Sequence, residues 1–208
     1  MKKILLLFLL SGFFIGERIY AEQKELDIAS LYKESYKYEA TTNYIDAFRV
    51  LVPVHEKYSQ TYTINLRFGW LTYLMKKYKD AEEYYKQAEL AAPYSLEAKN
   101  GIALVYLAKE EWLKAEEKCN QTLKIDYYNY YANLYLITSY KNQKKYEEAE
   151  AIARKMLYVY PTNVTFLTEL GIVLFYQGKE EEAYSIFDNV LILDPENITA
   201  KQFYNNKQ

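Results

Sequence analysis

Five alanines recur at a spacing of 34 residues: Ala47, Ala81, Ala115, Ala149 and Ala183. The residues around them repeat as well, and they read YKDAEEYYKQAELAAP around Ala81 and YEEAEAIARKMLYVYP around Ala149. A fixed period of this length is typical of stacked repeats, in which each unit buries its apolar face on the next unit. The period therefore limits the chain to a solenoid before any single residue is interpreted.

Each 34-residue unit divides into two helical stretches with a short polar break between them. In the second unit, Ile64, Phe68 and Leu71 recur at near-helical spacing. Prolines such as Pro93 recur just past the second stretch, where a proline ends a helix cleanly. We predict helix pairs at 28–41 with 44–58, 62–75 with 78–91, 96–109 with 112–125, 130–142 with 146–159, and 164–177 with 180–193. In the last break, Gly178 suits a left-handed cap position.

The period also divides the chain into segments. We place a leader at 1–21, a polar lead-in at 22–27, and five repeats at 28–61, 62–95, 96–129, 130–163 and 164–197. A short helix and tail at 198–208 would cover the apolar face of the last repeat. The first repeat is degenerate: Glu34 occupies an apolar position, and Pro53 lies inside the second helix. Pro53 lacks a backbone donor and clashes with the carbonyl of Arg49, so we predict a kink there.

Small residues at fixed positions let neighbouring helix backbones approach closely, while large residues from the facing helix fill the space left. Eight of them are predicted to pack the repeats: Ala47, Gly69, Ala81, Ala103, Ala115, Ala149, Gly171 and Ala183. The second unit combines Gly69, Tyr78, Ala81, Tyr85 and Pro93 in one pattern. This pattern resembles the tetratricopeptide-repeat family, in its exported bacterial type, over residues 28–197. The resemblance implies an all-α, right-handed superhelical solenoid of five helix-turn-helix repeats with a short C-terminal capping helix.

In the family that the chain resembles, the first helices line a concave groove that holds a partner's peptide or helix. Carried over to this sequence, the groove positions are Tyr32, Tyr36, Leu66, Trp70, Tyr73, Asn100, Leu104, Tyr131, Leu134, Thr138, Ile172 and Tyr176. Leu107, Thr168 and Phe175 occupy further groove positions, of which Leu107 and Phe175 are the more readily explained by packing against a neighbouring helix. Some family members grip a carboxylate with basic residues at phases that hold Tyr32, Leu66 and Trp70 here. The resemblance thus implies a groove for apolar or aromatic segments.

The N-terminal segment MKKILLLFLLSGFFIGERIYA has the layout of a secretory signal peptide. Lys2 and Lys3 precede an apolar run from Ile4 to Gly16, which is shorter than the roughly 20 residues of a spanning helix. We predict cleavage after Ala21 and an exported, periplasmic or secreted protein. The alternative is an uncleaved segment that anchors the repeats and makes the only membrane contact.

The composition argues against enzymatic chemistry. The chain has one cysteine, Cys119, and one histidine, His55, whereas a zinc site needs about four clustered ligands, or three when it is catalytic. Cys119 shares its repeat position with Leu51 and Phe187, so we predict a buried core thiol, and we place His55 at the surface or an edge. No glycine-rich phosphate loop is present. We therefore predict no enzyme activity, no metal, no cofactor and no small-molecule substrate.

Charged residues are interpreted as surface features. Acidic groups recur at one repeat position and predict a solvated helix face; they are Glu82-Glu83, Glu116-Glu117, Glu147-Glu148 and Glu180 to Glu182. Removal of the leader takes three positive charges and one negative charge from a chain of formal net charge −2, which leaves −4. A mildly acidic chain lacks the basic surface that nucleic acids and anionic lipids require.

Three hypotheses for the function remain. The first is a non-enzymatic scaffold in the cell envelope that binds an apolar or aromatic peptide segment of a partner protein in the groove. The second is a carbohydrate-binding module whose Tyr and Trp faces stack on sugars. The third is self-assembly, in which helices next to the poorly capped first repeat stack into a homo-oligomer.

Overall fold

The computed structural model describes residues 26–205, and this range is helical throughout, with no strand. The helices are α1 Ile28–Ala40, α2 Tyr44–Arg49, α3 Val52–Tyr58, α4 Tyr62–Leu74, α5 Tyr78–Ala91, α6 Leu96–Ala108, α7 Trp112–Leu123, α8 Tyr130–Asn142, α9 Tyr146–Val159, α10 Val164–Tyr176, α11 Glu180–Leu193 and α12 Ile198–Asn205. The predicted helix pairs are confirmed to within two residues at each end. The leader and the outer parts of the lead-in and tail lie outside the described residues.

The helices stack in chain order, so that the fold is a solenoid. From α4 to α12 each helix packs on the next one along the chain. The first helices of successive pairs also contact one another, α4 with α6, α6 with α8 and α8 with α10. These four helices therefore form a continuous layer, and α5, α7, α9 and α11 form a second layer behind it. Between residues 26 and 205, no helix is both long and apolar enough to cross a membrane.

Polar side chains fix where the first helices of the pairs begin. Ser95, Asn129 and Asn163 precede α6, α8 and α10, and each side chain accepts a hydrogen bond from a backbone N–H of the first turn. Such caps satisfy backbone donors that the helix itself leaves without partners. Because they recur with the 34-residue period, they place the starts of α6, α8 and α10 in the same register.

The turns inside the pairs share one backbone conformation. A residue with positive φ follows the first helix in all five units: Thr42, Lys76, Glu110 and Lys144 at 58–59°, and Gly178 at 77°. The prediction of a left-handed cap at Gly178 is confirmed. Only the last unit uses glycine there, and the other four hold an L-residue in a conformation that such residues seldom adopt.

The second helix of the first unit is broken at Val50 and Leu51. Arg49 ends α2, and Pro53 is the second residue of α3. At the start of a helix the missing proline N–H has no intrahelical partner to lose. The predicted kink at Pro53 is thus confirmed and takes the form of a new helix start.

Each first helix holds a buried residue at one repeat position, and a second buried residue follows 16 positions later in the chain. The pairs are Ser35 with Leu51, Gly69 with Tyr85, Ala103 with Cys119, Ile137 with Ala153, and Gly171 with Phe187. An aromatic ring accompanies glycine, whereas alanine accompanies isoleucine. A Cβ on Gly69 would lie 2.7 Å from the Tyr85 ring, and one on Gly171 would lie 2.5 Å from the Phe187 ring. In these two pairs, the ring of the second residue thus occupies the space that a side chain on the glycine would need.

The last helix, α12, covers the end of the solenoid. Phe203 stacks on Phe187 with ring centroids 4.7 Å apart and meets Phe175 edge-on at 4.9 Å. The Tyr204 hydroxyl donates to the Tyr184 carbonyl oxygen at 3.1 Å. The predicted capping helix is confirmed, and Phe175 belongs to this packing.

Candidate functional site

Two cavities adjoin on the layer of first helices. The first, of about 640 Å³, lies between α1 and α4 and is lined by Tyr32, Tyr36, Glu39, Ala40, Thr63, Leu66, Arg67 and Trp70. The second, of about 530 Å³, lies over α4, α6 and α8 and is lined by Leu66, Trp70, Tyr73, Tyr85, Glu97, Asn100, Gly101, Leu104, Tyr131 and Tyr135. Leu66 and Trp70 line both cavities, so the two form one groove.

The first cavity contains an ion pair that holds α1 against α4. Arg67, only 7% exposed, pairs with Glu39, and its Nη2 donates to the Ser35 hydroxyl at 2.9 Å. The Trp70 indole N–H donates to the other Glu39 oxygen at 2.7 Å, and the Tyr36 ring lies 4.1 Å from the guanidinium. Arg67 is therefore already neutralised and hydrogen-bonded, so it is not free to grip a partner's carboxylate.

The walls of the second cavity are aromatic. On α4, Trp70 and Tyr73 stack with ring centroids 5.8 Å apart, and on α8 the rings of Tyr131 and Tyr135 lie 6.1 Å apart. The i, i+3 and i, i+4 spacings place each pair of side chains on one face of its helix. The α6 helix lies between these two walls and forms the floor.

The floor is open because α6 carries a glycine. A Cβ on Gly101 would lie 2.4 Å from Cε1 of Tyr85, so only glycine leaves room for that ring. Gly69 approaches the same ring from α4. Tyr85 is thus held between two glycines of different units while it lines the cavity.

Hydrogen bonds fix the orientation of Asn100 on the floor. The Asn129 side-chain oxygen accepts from Ala132 N at 3.1 Å and so acts as an acceptor. It also accepts from Asn100 Nδ2 at 2.9 Å, which makes Oδ1 the remaining polar atom of Asn100. Asn100 is 9% exposed, and its Oδ1 has no hydrogen-bond partner among the described residues. An occupant that donates a hydrogen bond would satisfy this oxygen.

Three tyrosines that line this cavity, Tyr73, Tyr85 and Tyr135, influence one another's ionisation. Burial raises the pKa of Tyr85, and the neighbouring Tyr135 and Tyr73 hydroxyls raise it further. Burial also raises the pKa of Tyr135, with Tyr73 as the next cause. These phenols stay protonated at neutral pH and can accept as well as donate hydrogen bonds.

The groove brings together eight of the twelve predicted positions, and the other four lie beyond these two cavities. Leu134 and Ile172 pack half-buried against the C-terminal core. The Thr138 hydroxyl donates to the Leu134 carbonyl oxygen at 3.1 Å, and the exposed Tyr176 stacks on Tyr146 at 5.7 Å. The groove thus extends over α1, α4, α6 and α8 and does not include these four residues.

Several lining residues were not predicted from the sequence. Arg67, Gly101 and Tyr135 occupy one repeat position, 34 residues apart, directly after the position of Leu66 and Asn100. The signal was therefore present in the period. It was missed because one face of each first helix was taken as the groove, whereas two adjacent positions contribute to it.

The prediction of a solvated acidic face needs correction. Glu82 bonds Lys109 at 2.9 Å and Glu116 bonds Lys145 at 3.2 Å, each with its side chain at most 23% exposed. Glu150, at the same repeat position, bonds Lys179 at 2.9 Å. These carboxylates join consecutive units, while their predicted neighbours Glu83, Glu117, Glu147, Glu148 and Glu180 to Glu182 are exposed as expected.

The two residues considered for chemistry are both packed in the protein. Cys119 is fully buried, which confirms the core thiol, and burial raises its pKa to about 12. His55, predicted at the surface or an edge, is half-buried, and its ring stacks on Phe68 at 4.9 Å and meets Tyr84 edge-on at 5.6 Å. In the described part of the chain, no group of three or more His, Cys, Asp and Glu residues could hold a metal ion.

Comparisons with known proteins support the repeat fold. No protein-family model matches the chain. The curated protein sperm-associated antigen 1 of Mus musculus is 36% identical over 86 residues, which are 41% of this chain and 9% of that protein. The chain thus spans less than a tenth of that relative.

Two solved structures illustrate the similarity. A tetratricopeptide repeat protein from Parabacteroides merdae ATCC 43184 has a TM-score of 0.73 at 19% identity, covering 84% of this chain and 69% of that one. YrrB, described as a TPR protein with an unusual peptide-binding site, has a TM-score of 0.67 at 16% identity, covering 88% of this chain and 94% of that one. At these identities the similarity establishes the fold alone.

Proposed function

Because the chain has the tetratricopeptide-repeat fold, we propose that it is a non-enzymatic interaction module that binds an extended segment of a partner protein in the groove over α1, α4, α6 and α8. The observation that carries this proposal is the continuity of the two cavities through Leu66 and Trp70. A fold of this kind fits a protein–protein interaction module.

The chemistry of the groove favours apolar and aromatic side chains in the bound segment. Trp70, Tyr73 and Tyr131 offer large ring surfaces that lose little side-chain entropy on binding. The indole N–H of Trp70 is already bonded to Glu39, so this side chain presents ring surface rather than a donor.

A peptide library tests this proposal without knowledge of the partner. Random nonapeptides are passed over the immobilised protein, and the retained peptides are identified by mass spectrometry. We expect peptides rich in apolar and aromatic residues to be retained. The double variant Trp70→Ala, Tyr73→Ala should lose most of this retention and keep its helical circular dichroism, because both side chains are only partly buried.

The matched control changes two aromatic side chains elsewhere. Tyr94 follows α5 and Tyr158 lies in the last turn of α9, and they are 83% and 87% exposed, so Tyr94→Ala, Tyr158→Ala should retain peptides as the parent does. Equal retention by both double variants would exclude the groove as the binding site.

We also propose export to the cell envelope, on the strength of the N-terminal sequence alone. Lys2 and Lys3, the apolar run and Ala21 form a signal-peptide pattern. N-terminal sequencing of the protein isolated from the envelope fraction should begin at Glu22. A mature chain that begins at Met1 would favour the uncleaved anchor, and recovery from the cytoplasm alone would refute export.

A further inference from the structure

The second cavity has the composition of a site for a cation. Its walls are the rings of Trp70, Tyr73, Tyr131 and Tyr135, and Glu97 stands at its margin. Aromatic faces carry negative potential and attract cations, most strongly where water is excluded. Among the residues that line this cavity, none is a lysine or an arginine. Glu97 is therefore the one lining residue of this cavity that carries a formal charge, and that charge is negative.

The polar atoms of the cavity point to a donor of several hydrogen bonds. Asn100 lines the cavity and has a side-chain oxygen without a partner among the described residues, and the phenolic side chains of Tyr73, Tyr85 and Tyr135 line it as well. The Glu97 carboxylate accepts one hydrogen bond, from the Tyr62 hydroxyl at 2.6 Å, and retains further lone pairs. The lining thus offers more hydrogen-bond acceptors than donors whose direction is fixed. Such a lining suits an occupant that donates several hydrogen bonds.

We propose that the second cavity binds a primary ammonium group, supplied by the side chain of a lysine in the partner segment. An ammonium has three donors and no acceptor, which matches the tyrosine hydroxyls and the Glu97 carboxylate of the lining. The four-carbon lysine stem would lie along Leu66 and Leu104, the apolar lining residues, while its charge lies among the rings. This assignment rests on the proposed peptide-binding function and names the side chain that anchors the peptide.

The test compares peptides that differ at one position. Three nonapeptide libraries lack lysine and arginine except at the centre, where they carry lysine, Nε-acetyl-lysine or norleucine. Norleucine keeps the apolar stem without the charge, and acetyl-lysine keeps the length without the charge. At low salt, we expect the immobilised protein to retain the lysine library on the order of tenfold more than either of the others, the preference of a desolvated cation against aromatic rings.

Two single variants separate the ammonium site from general peptide binding. Glu97 is exposed at the start of α6, so Glu97→Gln should fold normally and reduce the preference for the lysine library over the norleucine library severalfold. Glu181→Gln removes an exposed carboxylate at the start of α11 and should change nothing. Equal retention of the three libraries would overturn the ammonium site and leave the groove intact. No retention of any library would overturn both proposals.

Discussion

Because Tyr85 lies between Gly69 and Gly101, the substitution Gly101→Ala should destabilise the protein when the Tyr85 ring is present and stabilise it when the ring is removed. In an open helix, Gly101→Ala would stabilise the protein by about 1 kcal/mol through helix propensity. Here the new Cβ would lie 2.4 Å from the Tyr85 ring, against about 3.5–4.0 Å for an ordinary carbon contact. The ring cannot retreat, because Gly69 leaves no spare room on its other side. Overpacking of about 1–3 kcal/mol should therefore exceed the propensity gain.

We expect Gly101→Ala to lower the free energy of unfolding by about 1 kcal/mol. In a Tyr85→Ala background the ring is gone, and the same change should raise the free energy of unfolding by about 1 kcal/mol. Urea unfolding followed by circular dichroism gives both values, and the coupling between the sites is then about 2 kcal/mol. Ala151→Gly, at an exposed position of α9, measures how much the helix-propensity difference between alanine and glycine contributes to the stability of this protein. A stabilising Gly101→Ala in the parent chain would refute the packing argument.

Three further outcomes are expected. Burial raises the pKa of Glu82, but hydrogen bonds from Lys109 and Lys86 outweigh this effect and lower the pKa to about 2. The stability that Glu82 adds should therefore be fully present above about pH 4.5 and be lost as the pH falls towards 2. A comparison of the thermal unfolding midpoints of the parent and Glu82→Gln across this pH range tests the prediction. Ala115 is fully buried, so Ala115→Leu should lower the free energy of unfolding by about 1–3 kcal/mol; an unchanged urea midpoint would contradict this. The Cys119 thiol should react with a maleimide only on unfolding, because it is buried and its pKa is raised; rapid labelling of the native protein would place it elsewhere.

The helices could be predicted from the sequence because period and local signals agree. The helix expected at 62–75 is Tyr62–Leu74, and the one expected at 112–125 is Trp112–Leu123. The small residues of the repeat and the polar residues at the helix starts both recur every 34 residues, so each unit confirms the register of the others. The left-handed turns at Lys76 and Lys144 carry no such signal, because the stacked helices rather than the residue type impose that conformation.

The inter-unit contacts were harder to predict. Glu82 takes its lysine from position 109, whereas Glu116 and Glu150 take theirs from 145 and 179, two residues later in the repeat. The partner thus changes position in the repeat, and periodicity does not reveal it. The Arg67–Glu39 pair is likewise confined to the first two units. In both cases, the side chains within reach depend on how two helices approach each other, and a sequence pattern does not contain that information.

The paired buried residues inside the units limit where sequence segments can be exchanged between units of this chain. The 34-residue units suggest interchangeable modules. The sizes of the two paired buried residues nevertheless differ from unit to unit, from glycine with an aromatic ring at Gly69 and Tyr85 to isoleucine with alanine at Ile137 and Ala153. Exchange of whole units keeps every pair intact. A crossover between the first and second helix of a unit would join isoleucine to an aromatic ring in one product and glycine to alanine in the other. Viable recombination and duplication in this protein are therefore expected at the boundaries between helix pairs.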